Sequence, residues 1–355
     1  MSELRINNIT DTAGSSGQII AGVSTVTSTS HMVMPSGPTE MRGGRGRGVF
    51  GTGYNNAPNS SLNSMQFVTI ATRGNTEDFG DLADSSIGKA SFGSATRGFF
   101  AGGDSVPGQQ DNKAIEFTIL SSSGGGNDFG DMTSTKAYLT GMSNDVRGFM
   151  VGGATTPEYV NQNTIEFVTM ASTGDATDFG DLSTITRSGS SAASNTRGIL
   201  QLGQTNPLPG NNLIEFITLS TLGNSQNFGE VSTLSKTGAA AVASSTRACF
   251  LAGTGTTGNG SHVSNVIDFV TISTLGNAQD FGDTTVAVSA LAGASNSTRG
   301  LHAGGRTGTP ASEALQDVIG FITIASTGNS QDFGDLVTPT RYLAGCSDSH
   351  GGLGD

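Results

Sequence analysis

One short pattern is written six times in this chain. It is plainest in Ile165-Glu166-Phe167-Val168-Thr169, then Asp178-Phe179-Gly180-Asp181, then Thr196-Arg197-Gly198. The Phe of the Phe-Gly-Asp element recurs at Phe79, Phe129, Phe179, Phe228, Phe281 and Phe333, at intervals of 50, 50, 49, 53 and 52 residues. An arginine keeps step with it at Arg47, Arg97, Arg147, Arg197, Arg247 and Arg299. A period near fifty, held over most of the chain, means stacked or radial copies of one supersecondary unit. Residues recurring in every copy build the scaffold, and function is expected where the copies differ.

Each copy reads as four short strands. A small-residue segment comes first: Lys89–Ser94, Lys136–Ser143, Arg187–Ser194, Lys236–Ser244, Ser289–Ser295 and Arg341–Ser347. Next comes Arg-Gly with apolar residues, as in Arg147-Gly148-Phe149-Met150-Val151-Gly152-Gly153, and then a divergent loop. The third strand is rich in β-branched and aromatic residues, as in Leu213-Ile214-Glu215-Phe216-Ile217, and a Ser-Thr-Gly turn leads to Phe-Gly-Asp. With 53 Gly and only 9 Pro among 355 residues, and no helical period, the chain is all-β.

Four antiparallel strands per copy and six copies predict a six-bladed β-propeller over residues 41–355. Crowding near the axis favours Gly, Ala and Ser, which places the small-residue strand innermost. The Phe of Phe-Gly-Asp then lies on the outermost strand, wedged against the adjacent blade. The pattern resembles the kelch family of propellers in Arg187-Ser188-Gly189, in the double glycine Gly152-Gly153, and in an aromatic near the start of the last strand. The resemblance spans residues 47–347. It departs from the family in having no Trp, so Phe stands in, and in keeping the double Gly only at Gly102-Gly103, Gly152-Gly153 and Gly304-Gly305.

Strand counting predicts how the ring closes. The last inner strand, Arg341–Ser347, follows the sixth outer strand, whereas Gly37-Pro38-Thr39-Glu40-Met41 is a poor first inner strand because proline disfavours a central strand. Arg341–Ser347 is therefore expected to become the inner strand of blade one, leaving residues 1–40 outside the ring.

The formal net charge is −12, a sign that argues against nucleic acid or an anionic membrane as partner. The Arg42–Arg47 stretch resembles an Arg-Gly tract, but its last pair is the first copy of the repeat. Cys249 and Cys346 read as buried small hydrophobes. Absence of a signal-peptide apolar region or an 18-residue apolar run gives the expectation of cytoplasmic synthesis without membrane insertion.

The recurrent carboxylates could serve as calcium ligands. The fourth copy argues against this, because Asn227-Phe228-Gly229-Glu230 changes both positions. Turn capping by Asp is the expected role, accepting from the repeat arginine or the backbone. The arginines are expected to pair with Glu116, Glu166, Glu215, Asp268 or the Phe-Gly-Asp carboxylates. His31, His262, His302 and His350 show no metal or triad spacing, and Gly124-Gly125-Gly126 lacks the strand–turn–helix context of a phosphate loop. No enzyme signature is present, and neither cofactor nor metal is expected.

The loops after the second strands share almost nothing and must emerge on one face. Candidate binding residues there are Tyr54, Asn55, Asn56, Asp104, Glu158, Tyr159, Asn206, Asn259, His262 and Arg306. Residues 1–40 break the repeat, and the alternation in Leu4-Arg5-Ile6-Asn7-Asn8-Ile9-Thr10 suggests a strand that needs a partner. This opening resembles attachment segments of structural proteins from tailed marine and cyanobacterial phages, and the Asp-Phe-Gly-Asp repeats are similar to their virion-associated proteins. The resemblance implies a non-enzymatic virion protein: a tail fibre, appendage or capsid decoration, multicopy or homo-oligomeric. Residues 1–40 would bind other virion proteins, and the loop face a host-surface glycan or protein. No Trp and four Tyr weaken a sugar-binding version. The alternatives are a carbohydrate-active or lyase-like propeller enzyme with unlike polar residues at a channel mouth, and a cytoplasmic kelch-type scaffold.

Overall fold

Six four-stranded antiparallel sheets form the blades of a six-bladed β-propeller. The computed structural model describes residues 46–56, 60–205, 211–231, 236–257, 260–308 and 312–353. The arm over 1–40, Asn206 and Asn259 lie outside the described residues. Blade three is representative, running Thr140–Ser143, Arg147–Val151, Val160–Thr169 and Thr177–Thr186 from the axis outward. Blade one takes its inner strand, Ala344–Ser347, from the far end of the chain, pairing it with Arg47–Asn55. The closing register is Gly48↔Ser347, Val49↔Cys346, Phe50↔Gly345 and Gly51↔Ala344. Closure by the C-terminal strand is thus as strand counting predicts.

The small residues of the inner strands let neighbouring blades approach, and hydroxyls join them. Ser91 Oγ donates to Gly345 O (2.8 Å), Ser143 to Gly93 O (2.7 Å) and Ser191 to Gly141 O (2.9 Å). Ser295 donates to Ala243 O (3.1 Å) and Ser347 to Ser295 O (2.6 Å). These bonds bridge five of the six seams. Each gives a wall hydroxyl a backbone partner in the neighbouring blade, which satisfies it where water is displaced.

Arg-Gly is an interlock between blades. A Cβ on Gly148 would fall 2.0 Å from the Phe92 ring of the preceding blade, and one on Gly198 would fall 2.5 Å from Met142 Cε. Where the preceding blade offers only Ala192, the glycine becomes Ala248. The arginine itself closes the seam. Arg97, Arg147, Arg197 and Arg247 lie over Phe117, Phe167, Phe216 and Phe269 at 4.3–4.7 Å. Their Nη1 atoms donate to carbonyls of the next blade: Met170 (3.1 Å), Leu219 (3.0 Å), Ile272 (2.7 Å) and Ile324 (2.9 Å). Arg47 and Arg299 do the same to Leu120 and Ala71.

The expected carboxylate partners are corrected here. Glu116, Glu166 and Asp268 instead pair in the blade interior with Lys89 (3.4 Å), Lys136 and Lys236 (2.7 Å). Glu215 accepts from the Ser183 and Ser225 hydroxyls. A guanidinium held over an aromatic face while bonding a carbonyl keeps its charge at a half-wet seam, without the desolvation that a buried ion pair demands.

Phe-Gly-Asp covers the outer edge. Phe129 meets its own blade's Phe117 edge-on at 6.1 Å and packs with Val168 and Met170 of blade three, the expected wedge. The turn glycine of each following blade donates to the Phe carbonyl, as Gly174 N does to Phe129 O at 2.8 Å. A Cβ on Gly130 (φ +150°) would strike Gly174 O at 2.4 Å. The turn-capping role is also corrected. The Asp contributes its backbone N–H, donating to the residue after the turn glycine: Asp181 N to Asn224 Oδ1 (3.0 Å) and Glu230 N to Asn277 Oδ1 (3.1 Å). The fourth copy tolerates Glu230 because the side chain is not what the seam uses. Edge strands are thereby paired rather than left open.

Cys249 and Cys346 are buried free thiols, each pushed up to about 12 by burial. Blade six carries an exception. His302 stands where other blades have Phe50, Phe100, Met150, Leu200 and Phe250, and Gly320 leaves its space, since a Cβ there would meet His302 Nε2 at 2.3 Å. Burial lowers the His302 pKa to about 4, so the folded state holds it neutral. Its contribution is complete above the unfolded pKa near 6.5 and is lost as pH falls toward 4, a change of about 3 kcal/mol. Thermal melts should show this acid sensitivity, and His302→Leu should flatten it. An unchanged pH slope in that variant would contradict the assignment.

Candidate functional site

The channel differs at its two ends. After the closing strand, the chain forms a short turn, Gly351–Leu353, across one end. His350 Nε2 there lies 2.9 Å from Gly93 O and 3.1 Å from Ser143 Oγ. A cavity of about 60 Å³ lies above it, lined by inner-strand residues of all six blades. Toward the opposite mouth a polar cavity of about 100 Å³ is lined by Lys89, Thr140, Gly189, Ala240 and Leu343 among others.

That mouth is framed by six equivalent residues just before the inner strands: Gly88, Tyr138, Ser188, Gly238, Ala290 and Tyr342. All have left-handed backbone, with φ from 52° to 64°. This conformation turns their amides along the rim, where they link in a ring. Ser188 N donates to Tyr138 O, Gly238 N to Ser188 O, Ala290 N to Gly238 O and Tyr342 N to Ala290 O, all at 2.8 Å. Gly88 N donates to Tyr342 O (3.2 Å), and Leu139 N to Gly88 O (3.3 Å) completes the circuit. Left-handed φ costs a non-glycine residue roughly 1–2 kcal/mol. Two blades use glycine, whereas Tyr138, Ser188, Ala290 and Tyr342 are held against that cost.

Outside the collar, each blade adds one bridged pair: Arg341 with Tyr54, Ile87 with Asp104, Ala137 with Ala154, Arg187 with Gln204, Thr237 with Thr254, and Ser289 with Arg306. Identical backbone positions thus carry six different chemistries. The aromatic and charged residues of the mouth meet in one sector. The Tyr138 ring meets Tyr342 edge-on at 5.5 Å and lies 5.9 Å from Tyr159. Arg187 stacks over Tyr159 (4.9 Å), and Arg341 over Tyr54 (4.6 Å) and Tyr342 (5.3 Å). Arg306 and Arg341 share one oxygen of Glu313, each at 2.7 Å. All four tyrosines of the chain are here, each half-buried. Burial pushes the Tyr138 phenol well above its ordinary range, with Tyr342, Tyr159 and Asp104 adding to the effect.

Tyr54, Tyr159 and Arg306 therefore come together from three separate loops. Asn55 follows Tyr54 on the blade-one hairpin, with Asn56 exposed beyond it. Glu158 is exposed at a loop tip, and His262 is exposed on the long blade-five hairpin opposite Gly255. Asp104, at the start of the blade-two loop, is 1% exposed and bridged to both Ile87 and Asp111. Sequence reasoning missed Tyr138, Tyr342, Arg187, Arg341 and Glu313. The first four lie in segments read as inner strands. Aligning the six copies at Gly88 would have exposed them, because two large aromatics interrupt an otherwise small series.

Among the described residues, no group of three or more His, Cys, Asp or Glu forms a metal-binding constellation. The sector offers aromatic faces for stacking against rings or C–H surfaces, and guanidinium edges for carboxylate or sulfate oxygens. No known protein family matches the chain, and no curated protein matches it in sequence.

Proposed function

We propose that this chain is a structural protein of a tailed-phage virion, a kelch-like propeller carried by residues 1–40 and binding a host-surface glycan or protein through its tyrosine–arginine mouth. The single observation that carries the binding reading is the gathering of all four tyrosines at one mouth, two of them on collar positions that the other blades fill with Gly, Ser or Ala. Large aromatic rings at positions that elsewhere carry small residues, beside three arginines stacked on aromatics, support a binding surface there. Four clustered tyrosines also answer the objection that the chain is too poor in aromatics to hold a sugar. The virion assignment rests on the resemblance of the arm and the Asp-Phe-Gly-Asp repeats.

The second reading, a carbohydrate-active or lyase-like enzyme, draws on the same gathering of unlike polar groups at one mouth. Two measurements separate the readings. Mass spectrometry of purified particles should find the chain as a stoichiometric component, and particles lacking it would sink the virion proposal. The purified chain should bind host envelope material without releasing soluble fragments. Sustained fragment release would favour the enzyme.

A further inference from the structure

Blade two carries a pair of acids that neither the scaffold nor the mouth explains. Asp104 and Asp111 are opposite partners in an isolated antiparallel bridge, which places their side chains on one face of the loop. Asp104 is 99% buried by its 1% exposure, and its Oδ1 has no hydrogen-bond partner. Asp111 Oδ1 is also buried without a partner, while its Oδ2 accepts from Thr156 N at 2.5 Å. The neighbouring cation of the blade, Lys89, is committed to Glu116. A buried carboxylate oxygen with no partner is costly, and two facing each other are more so. The fold does not require them, because blade three places Ala154 opposite Asn161 at the same bridge.

We infer that Asp104 and Asp111 bind a hard divalent cation of the calcium type within the blade-two loop. Two carboxylate oxygens supply the charge, and loop carbonyls with water complete the six to eight oxygens that such a cation takes. Burial, and after it the charge of Asp111, pushes Asp104 up to about 6, and the cation offsets both. It also fixes the loop that runs beside Tyr138, on the side of the mouth where the tyrosines gather.

The test uses the full-length chain with terbium and calcium as probes. The chain has no Trp, so sensitised terbium emission reports a lanthanide close to tyrosine. Emission should rise to saturation, calcium should displace it, and calcium should raise Tm in its absence. Asp104→Asn should abolish the emission and the calcium-dependent Tm shift, while raising the Tm of the metal-free chain by neutralising an unpaired buried charge. If that variant fails to fold, Asp111→Asn, at a partly exposed position, reads the same outcomes. Emission that survives both substitutions would assign the ion to outer-strand carboxylates such as Asp131 and overturn the site. No emission and a Tm indifferent to calcium would overturn it too, leaving a proton shared between the two acids.

Discussion

A chain ending at residue 339 is expected to show no cooperative thermal transition, because it lacks the strand that closes the ring. The deletion removes the partner of Gly48–Gly51 and exposes Val49 and Phe50, which are fully buried in the intact protein. It also removes buried Leu343, Ala344 and Cys346, the Ser347 bond to blade six and the Tyr342 link of the collar. Each large apolar side chain uncovered costs about 1.5–3 kcal/mol, and two seams open at once. Their sum reaches the 5–15 kcal/mol that typically holds a domain together. Circular dichroism melts of the truncated and full chains make the comparison. A truncated chain melting cooperatively within a few degrees of the full one would show that the terminal strand is dispensable.

Gly148→Ala is expected to cost about 3 kcal/mol, and in a Phe92→Ala background the same methyl should cost far less. The added methyl would sit 2.0 Å from Phe92 Cε2, inside a ring stacked on Phe99 at 5.0 Å with 12° between planes. Phe92 cannot swing aside without breaking that stack. Shortening it to Ala recreates a pair the chain already uses, Ala192 facing Ala248. Phe92→Ala alone leaves a cavity and costs about 3–5 kcal/mol. The informative quantity is the coupling between the two substitutions in urea unfolding. Additive losses would mean that the interlock between successive blades does not act as described.

The propeller was legible because its constraints repeat. Arg-Gly, the small inner strand and Phe-Gly-Asp each mark a strand, and six copies average away local ambiguity. Closure was legible because a surplus strand at one end must fill a vacancy at the other. The arginine partners were not. Every residue has a carbonyl, so nothing in the sequence marks Met170 or Leu219 as acceptors, whereas carboxylates attract attention by their charge. Tyr138 and Tyr342 were hidden for another reason. Left-handed backbone is announced by glycine, as at Gly88 and Gly238, and a tyrosine in that conformation gives no local sign. The mouth pairs escaped because Arg341 and Tyr54 lie almost three hundred residues apart and meet only when the ring closes.

Shared residues hold the ring, and the binding proposed for the protein belongs to unshared residues of the mouth. Replacing both collar tyrosines with the residue used by blades two and five tests that division most directly. Tyr138→Gly with Tyr342→Gly removes the two central rings of the aromatic sector while relieving left-handed strain worth roughly 1 kcal/mol at each site. The measurement is binding of the full-length chain to host cells, read beside its Tm. The expected result is a Tm within a few degrees of the parent and binding weakened at least about tenfold, the loss expected when central aromatic contacts are removed. A variant of parental Tm that binds host cells as tightly as the parent would contradict it.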